Sequence, residues 1–206
     1  MNSGFRFAHF AFVPATALLL TGCLFKPSIA PVRHFVLAPV PVNELAPMTE
    51  QISVGIGSVK MPSYLLRTSV AVRHGTNEIE YLEGARWGER LDECFQRTLA
   101  ANLSRMLPSD RVYSADWAGS QVMVRLFVDV QQFEVDAQGR GTLIAHWRVQ
   151  SSRSNTPVES GTARLDRTGA SPQGNAAVIA ATLSELTAEF SRTLAQAIRE
   201  SVNRKN

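Results

Sequence analysis

Gln121-Val122-Met123-Val124-Arg125-Leu126-Phe127-Val128-Asp129-Val130-Gln131-Gln132-Phe133-Glu134-Val135 is the stretch whose reading sets the architecture. Val122, Val124, Leu126, Val128 and Val130 recur with period two, while Arg125, Asp129 and Gln131 take the alternate places. Successive side chains of a strand leave on opposite sides, so this is one long strand with an apolar and a polar face. The apolar phase then jumps to Phe133 and Val135. A one-residue change of phase inverts the faces, so the pattern predicts a β-bulge near Gln131-Gln132. Asp136 to Gly141 forms a loop that returns the chain as Leu143, Ala145, Trp147 and Val149, with Trp147 on the apolar side. A third strand near Val158 to Leu165 completes a meander.

The segments on either side of the meander are helical. Leu91, Cys94, Phe95, Thr98, Leu99, Asn102, Leu103 and Met106 recur at three- and four-residue spacing before Pro108 stops the pattern. A longer helix is predicted from about Asn175 to Val202, with Ala181, Leu183, Leu186, Phe190, Leu194, Ala197 and Ile198 as its stripe and Asn175 as its N-cap. Upstream, Ile52, Val54 and Ile56 alternate with Ser53, Gly55 and Gly57 as a half-buried strand. Brief strands at Val70 to Val72 and Glu78 to Tyr81 are joined across His74-Gly75-Thr76-Asn77, a hairpin signal. Pro39, Pro41 and Pro47 hold the segment around them out of helix, and it is expected to be a loop. Strands, helix, strands, helix is an α+β order. It predicts one domain with a mainly antiparallel, mixed sheet and two long helices packed on one face.

The amino-terminal region has a different character. Arg6 precedes an apolar run from Phe10 to Leu20, which ends in Leu20-Thr21-Gly22-Cys23. A helix of about eleven residues rises about 16 Å, well short of the ~30 Å hydrocarbon layer, so the run is expected to be a signal rather than an anchor. Leu20, Thr21, Gly22 and Cys23 together resemble a bacterial lipobox. That resemblance implies S-diacylglycerol and N-acyl groups on Cys23 after cleavage in front of it, and Leu24 in place of Asp implies the outer membrane. The expected organisation is a lipoprotein signal peptide over 1–22, the lipidated cysteine with a proline-containing tether over 23–33, and a folded domain over 34–206. Ten residues of tether stretch to at most about 35 Å, which keeps the domain close to its bilayer.

Composition narrows the function. The chain has 206 residues, 45% hydrophobic and 19% charged, with a net charge of +3. That is globular, and the scattered basic residues give no nucleic-acid footprint. Cys94, among Leu91, Phe95 and Leu99, reads as a small buried hydrophobe. Nucleophile-elbow, Ser-x-x-Lys, zinc-helix and phosphate-loop patterns are absent, and Gly55-Ile56-Gly57 lacks the third glycine of a dinucleotide loop. No catalytic residue, metal ligand or cofactor is expected. Asp129 and Glu134 form a nominal acid pair, but across a bulge both are expected to be solvated. Trp87 beside Arg86 reads as an exposed recognition patch or as packing where the first helix begins.

Taken in order, several short strings resemble the ABC-type transport auxiliary lipoproteins. They are the lipobox, His34-Phe35-Val36-Leu37, Val54-Gly55-Ile56-Gly57-Ser58-Val59-Lys60-Met61-Pro62-Ser63-Tyr64-Leu65, Val72-Arg73, Asn77-Glu78-Ile79-Glu80-Tyr81, Arg86-Trp87, and Asn102-Leu103 before Leu107-Pro108-Ser109. The resemblance implies a non-enzymatic component of a mammalian-cell-entry (MCE) system that moves phospholipid between membranes. Lipid-anchored on the periplasmic face of the outer membrane, it would receive the periplasm-spanning MCE protein, with Tyr64, Arg86 and Trp87 as expected contacts and self-association open. Two other functions fit the same residues: a structural lipoprotein assembling an outer-membrane β-barrel, or a periplasmic lipid-binding protein working alone.

Overall fold

The computed structural model describes residues 31–41, 52–107, 109–114, 122–153 and 156–203. The signal peptide, the lipobox residues Leu20, Thr21, Gly22 and Cys23, most of the tether, and Trp117 lie outside them. The described elements are β1 (Arg33–Phe35), β2 (Val54–Ile56), a 3₁₀ turn (Ser63–Leu66), β3 (Ser69–His74), β4 (Glu78–Trp87), α1 (Leu91–Met106), β5 (Val112–Ser114), β6 (Val124–Asp136), β7 (Arg140–Ser151), β8 (Pro157–Thr168) and α2 (Ala176–Asn203).

The expected bulge is present. β6 and β7 pair antiparallel, and their register shifts between Val130 and Gln132. The extra residue, Gln131, returns Phe133 and Val135 to the face of Leu126 and Val128, and all four are buried. β8 extends the meander by pairing antiparallel with β7.

The other edge of β6 could not be read locally. β2 pairs parallel with its first residues, Lys60 bridges Asp129, and β3 pairs parallel with Val135 and Asp136. One edge is therefore covered in series by two strands, and the 3₁₀ turn interrupts them. β4 pairs antiparallel with β3, β1 runs parallel to β4, and β5 runs parallel to β2. The sheet is thus mixed, with its longest ladders antiparallel.

β4 runs six residues past the predicted end at Tyr81. Its register against β3 changes between Ser69 and Ala71, and Gly84 adopts φ +68° in the extra loop of backbone. A side chain is disfavoured at that angle, so glycine here permits the bulge that lets the strand resume. Arg86-Trp87 consequently ends a strand instead of leading into the helix.

Both helices cover the face carrying Phe133. Phe95 of α1 meets the Phe133 ring edge-on at 5.1 Å between centroids and the Phe190 ring of α2 at 6.1 Å. Gly141 allows α2 to approach, because a Cβ there would stand 2.7 Å from Thr182 Cγ2. Asn175 caps α2, its Oδ1 accepting from the Ala177 amide at 3.1 Å. The expected stripe of α2 is buried except for Ala181, which is exposed; Ile179 and Ala180 face inward ahead of Leu183. After β1 the chain crosses both helices. The Leu37 amide donates to Cys94 Sγ at 3.0 Å and the Ala38 amide to Ser184 Oγ at 3.1 Å.

Candidate functional site

Two polar arrangements stand out on the face of the sheet away from the helices. The first centres on Glu134. Its neighbours Phe133 and Val135 point to the core, so alternation sends its carboxylate the other way. That carboxylate is not solvated as expected: Glu134 is 2% exposed. The 3₁₀ turn covers it, and the Tyr64 hydroxyl donates to Oε2 at 2.8 Å. Arg73 Nε of β3 donates to Oε1, and the Phe133 amide donates to Oε2 at 3.2 Å. A buried carboxylate is tolerable only with such a complete set of donors and an opposing charge.

The titrations reflect this closeness. Burial, then the hydrogen bond to Glu134, pushes the Tyr64 phenol well above its ordinary value. Burial works against the Arg73 charge, but the hydrogen bond and charge of Glu134 outweigh it and raise the guanidinium pKa. The cluster fastens the 3₁₀ turn to the sheet. Neither Tyr64 nor Arg73 lies near Glu134 in sequence, so no local signal announced the contact.

The second arrangement is a groove of about 490 Å³. Pairing places Phe127, Arg148 and Ser160 in one row across β6, β7 and β8, and Lys60, Asp129, His146 and Thr162 in the next. All of these line the groove, as does Ser58. The Arg148 guanidinium lies over the Phe127 ring, 4.6 Å from its centroid. His146 Nδ1 and Thr162 Oγ1 are 2.9 Å apart, and the Gln131 amide donates to Asp129 Oδ1 at 2.8 Å.

The structure places the expected contacts as follows. Trp87 is 6% exposed and belongs to the core, which supports the packing alternative. Arg86 is half-buried, its Nη1 donating to the carbonyl oxygens of Leu82 and Ala85. Tyr64 faces Glu134. Trp147 is half-buried against the core. Cys94 is fully buried, and burial raises its thiol pKa to about 11. Among the described residues, no group of three His, Cys, Asp or Glu side chains is placed to hold a metal. No described helix is long and apolar enough to cross a membrane.

A family model described as "ABC-type transport auxiliary lipoprotein component" matches residues 35–195. The chain belongs to that family. The matched span of this auxiliary lipoprotein runs from the end of β1 into the last third of α2, so it includes the Glu134 cluster and the groove. No curated protein matches the sequence. Among solved structures, a Xanthomonas campestris protein of the DUF330 family has a TM-score of 0.65 at 15% identity, covering 83% of this chain and 99% of its own. An uncharacterised protein has a TM-score of 0.62 at 22% identity, covering 76% of this chain and 96% of its own. At such identities these similarities establish a shared fold for the auxiliary lipoprotein and nothing more.

Proposed function

We propose that this auxiliary lipoprotein is a non-enzymatic, lipid-anchored docking component of an MCE-type system that moves phospholipid between two membranes. Cys23, acylated, holds the folded domain at the periplasmic face of the outer membrane, where it receives the periplasm-spanning MCE protein. The observation that carries this reading is the family match over 35–195, which makes the chain an auxiliary component of ABC-type transport. The position of Cys23 supports the anchoring part. Only nine residues separate it from Arg33, where β1 begins, and nine residues span at most about 32 Å. A partner bridging the periplasm has to come to such a domain. Each buried methylene contributes about 0.8 kcal/mol, so several acyl chains on one residue hold it stably.

The test is co-purification. The full chain, expressed with a neighbouring MCE-domain protein and extracted in mild detergent, is expected to capture that protein. Intact-mass analysis should show an acylated Cys23 as the first residue. Failure of capture, both from cells and with purified components, sinks the docking role; an unmodified sulfur sinks the anchor.

A further inference from the structure

The groove across β6, β7 and β8 has a composition that neither the fold nor the docking role requires. Its two rows lie side by side on one face, offset by two residues along each strand. Strands are spaced about 4.8 Å and alternate residues about 7 Å, so the lining forms a patch of about 14 by 7 Å. Its volume, about 490 Å³, lies within the range of small-molecule sites. Phe127 is its large apolar side chain and the rest of its lining is mainly polar, since the ring of Trp147 packs against the core on the other face.

The charges are unbalanced. Lys60 and Arg148 carry cations, and among the described residues neither forms an ion pair. They stand one row and two strands apart, about 12 Å between Cα atoms. Arg148 is laid over Phe127, and that stacking brings its fork above β6, toward the Lys60 side. Both long side chains can therefore reach a common point over β6. Ser58 stands on the Lys60 side of that point and the imidazole of His146 on the β7 side, while the hydroxyls of Ser160 and Thr162 line the far side of the groove, two strands from β6. The one carboxylate present, Asp129, already accepts from Gln131.

A fork and an ammonium arriving from two sides, with a hydroxyl donor beside them, suit a tetrahedral anion with three or four oxygens better than a planar carboxylate with two. We propose that this groove binds an organic phosphate ester, with Lys60 and Arg148 neutralising the phosphate over β6, Ser58 donating to one of its oxygens, Phe127 supporting the fork from beneath, and Ser160 and Thr162 meeting the ester's alcohol portion where it extends toward β8. Asp129 accepts from a hydroxyl of the ester's alcohol portion.

The ester can be a free metabolite or the headgroup of a lipid, and two soluble probes separate them. Glycerol 3-phosphate and dihexanoyl phosphatidylglycerol below its micellar concentration would each be titrated into the full chain in non-ionic detergent, with binding read from ³¹P line broadening. Arg148→Gln and Lys60→Gln should each weaken binding roughly tenfold or more, the loss of one charge-assisted contact. Arg148→Lys should fall between Arg148→Gln and the parent chain. Both side chains are exposed, and unchanged melting of the variants would separate loss of binding from loss of fold. Binding of both probes, or of glycerol 3-phosphate alone, supports the site and assigns a free ester; binding of the lipid probe alone supports it and assigns a headgroup. Absence of binding by both at millimolar concentration, or variants that bind like the parent, overturns it. The capture of an MCE protein is a separate measurement from probe binding, so either idea can fail alone.

Discussion

Removing the Arg73 side chain tests the account of Glu134 most directly. In Arg73→Leu the carboxylate stays in place, 2% exposed, with the Tyr64 hydroxyl and the Phe133 amide on Oε2 and no charged partner on Oε1. Breaking a buried pair by removing one member costs about 3–5 kcal/mol. Arg73 is itself 22% exposed in its side chain, so the low end, about 3 kcal/mol, is expected. The reverse change, Glu134→Leu, should cost less. Its stranded guanidinium keeps the Thr76 carbonyl at 2.9 Å and can reach water. With both residues replaced by leucine no buried charge remains, and the double variant should be more stable than the sum of the singles by about 2 kcal/mol. Urea unfolding at 25 °C supplies the three free energies. In a chain of this size, about 3 kcal/mol corresponds to a fall in Tm of about 6–12 °C. Additivity within about 0.5 kcal/mol, or Glu134→Leu proving the more damaging single change, would refute the description of a buried, Arg73-dependent carboxylate.

Trp87→Ala should lower stability by about 3–5 kcal/mol, as expected for emptying a core position, and urea unfolding of the variant measures it. Normal melting with selective loss of MCE capture would instead make Trp87 an exposed contact. For Cys94, burial lifts the thiol from 9.0 to about 11. Between those values the unfolded thiol has lost its proton while the folded one retains it, so stability should decline as pH rises through that window and be unaffected by this group below it. In a Cys23→Ser chain, where Cys94 is the remaining thiol, labelling at pH 8 should be slow until denaturant is added. Prompt labelling of the folded chain is the contrary result.

Some of this protein was legible because the physics is local. Alternation from Val122 to Val130, followed by the phase jump to Phe133, left one way to keep an apolar face buried, so the bulge at Gln131 followed from the string. The three- and four-residue spacing of α1 and α2 identified their buried sides, apart from Ala181, because a helix face is defined within the helix. What the string could not specify was partner choice. Nothing in Val54-Gly55-Ile56 says that it lies beside Val124 to Leu126, or that β3 later takes up the same edge of β6, since strand pairing is settled by closing the whole sheet. Nor does alternation distinguish a covered polar face from an open one. Glu134 and Asp129 are both polar residues of β6 on the side away from the helices, yet one is sealed beneath Tyr64 and Arg73 and the other faces the groove. The residues that make this difference lie some sixty or more positions earlier in the chain, and tertiary structure alone brings them there.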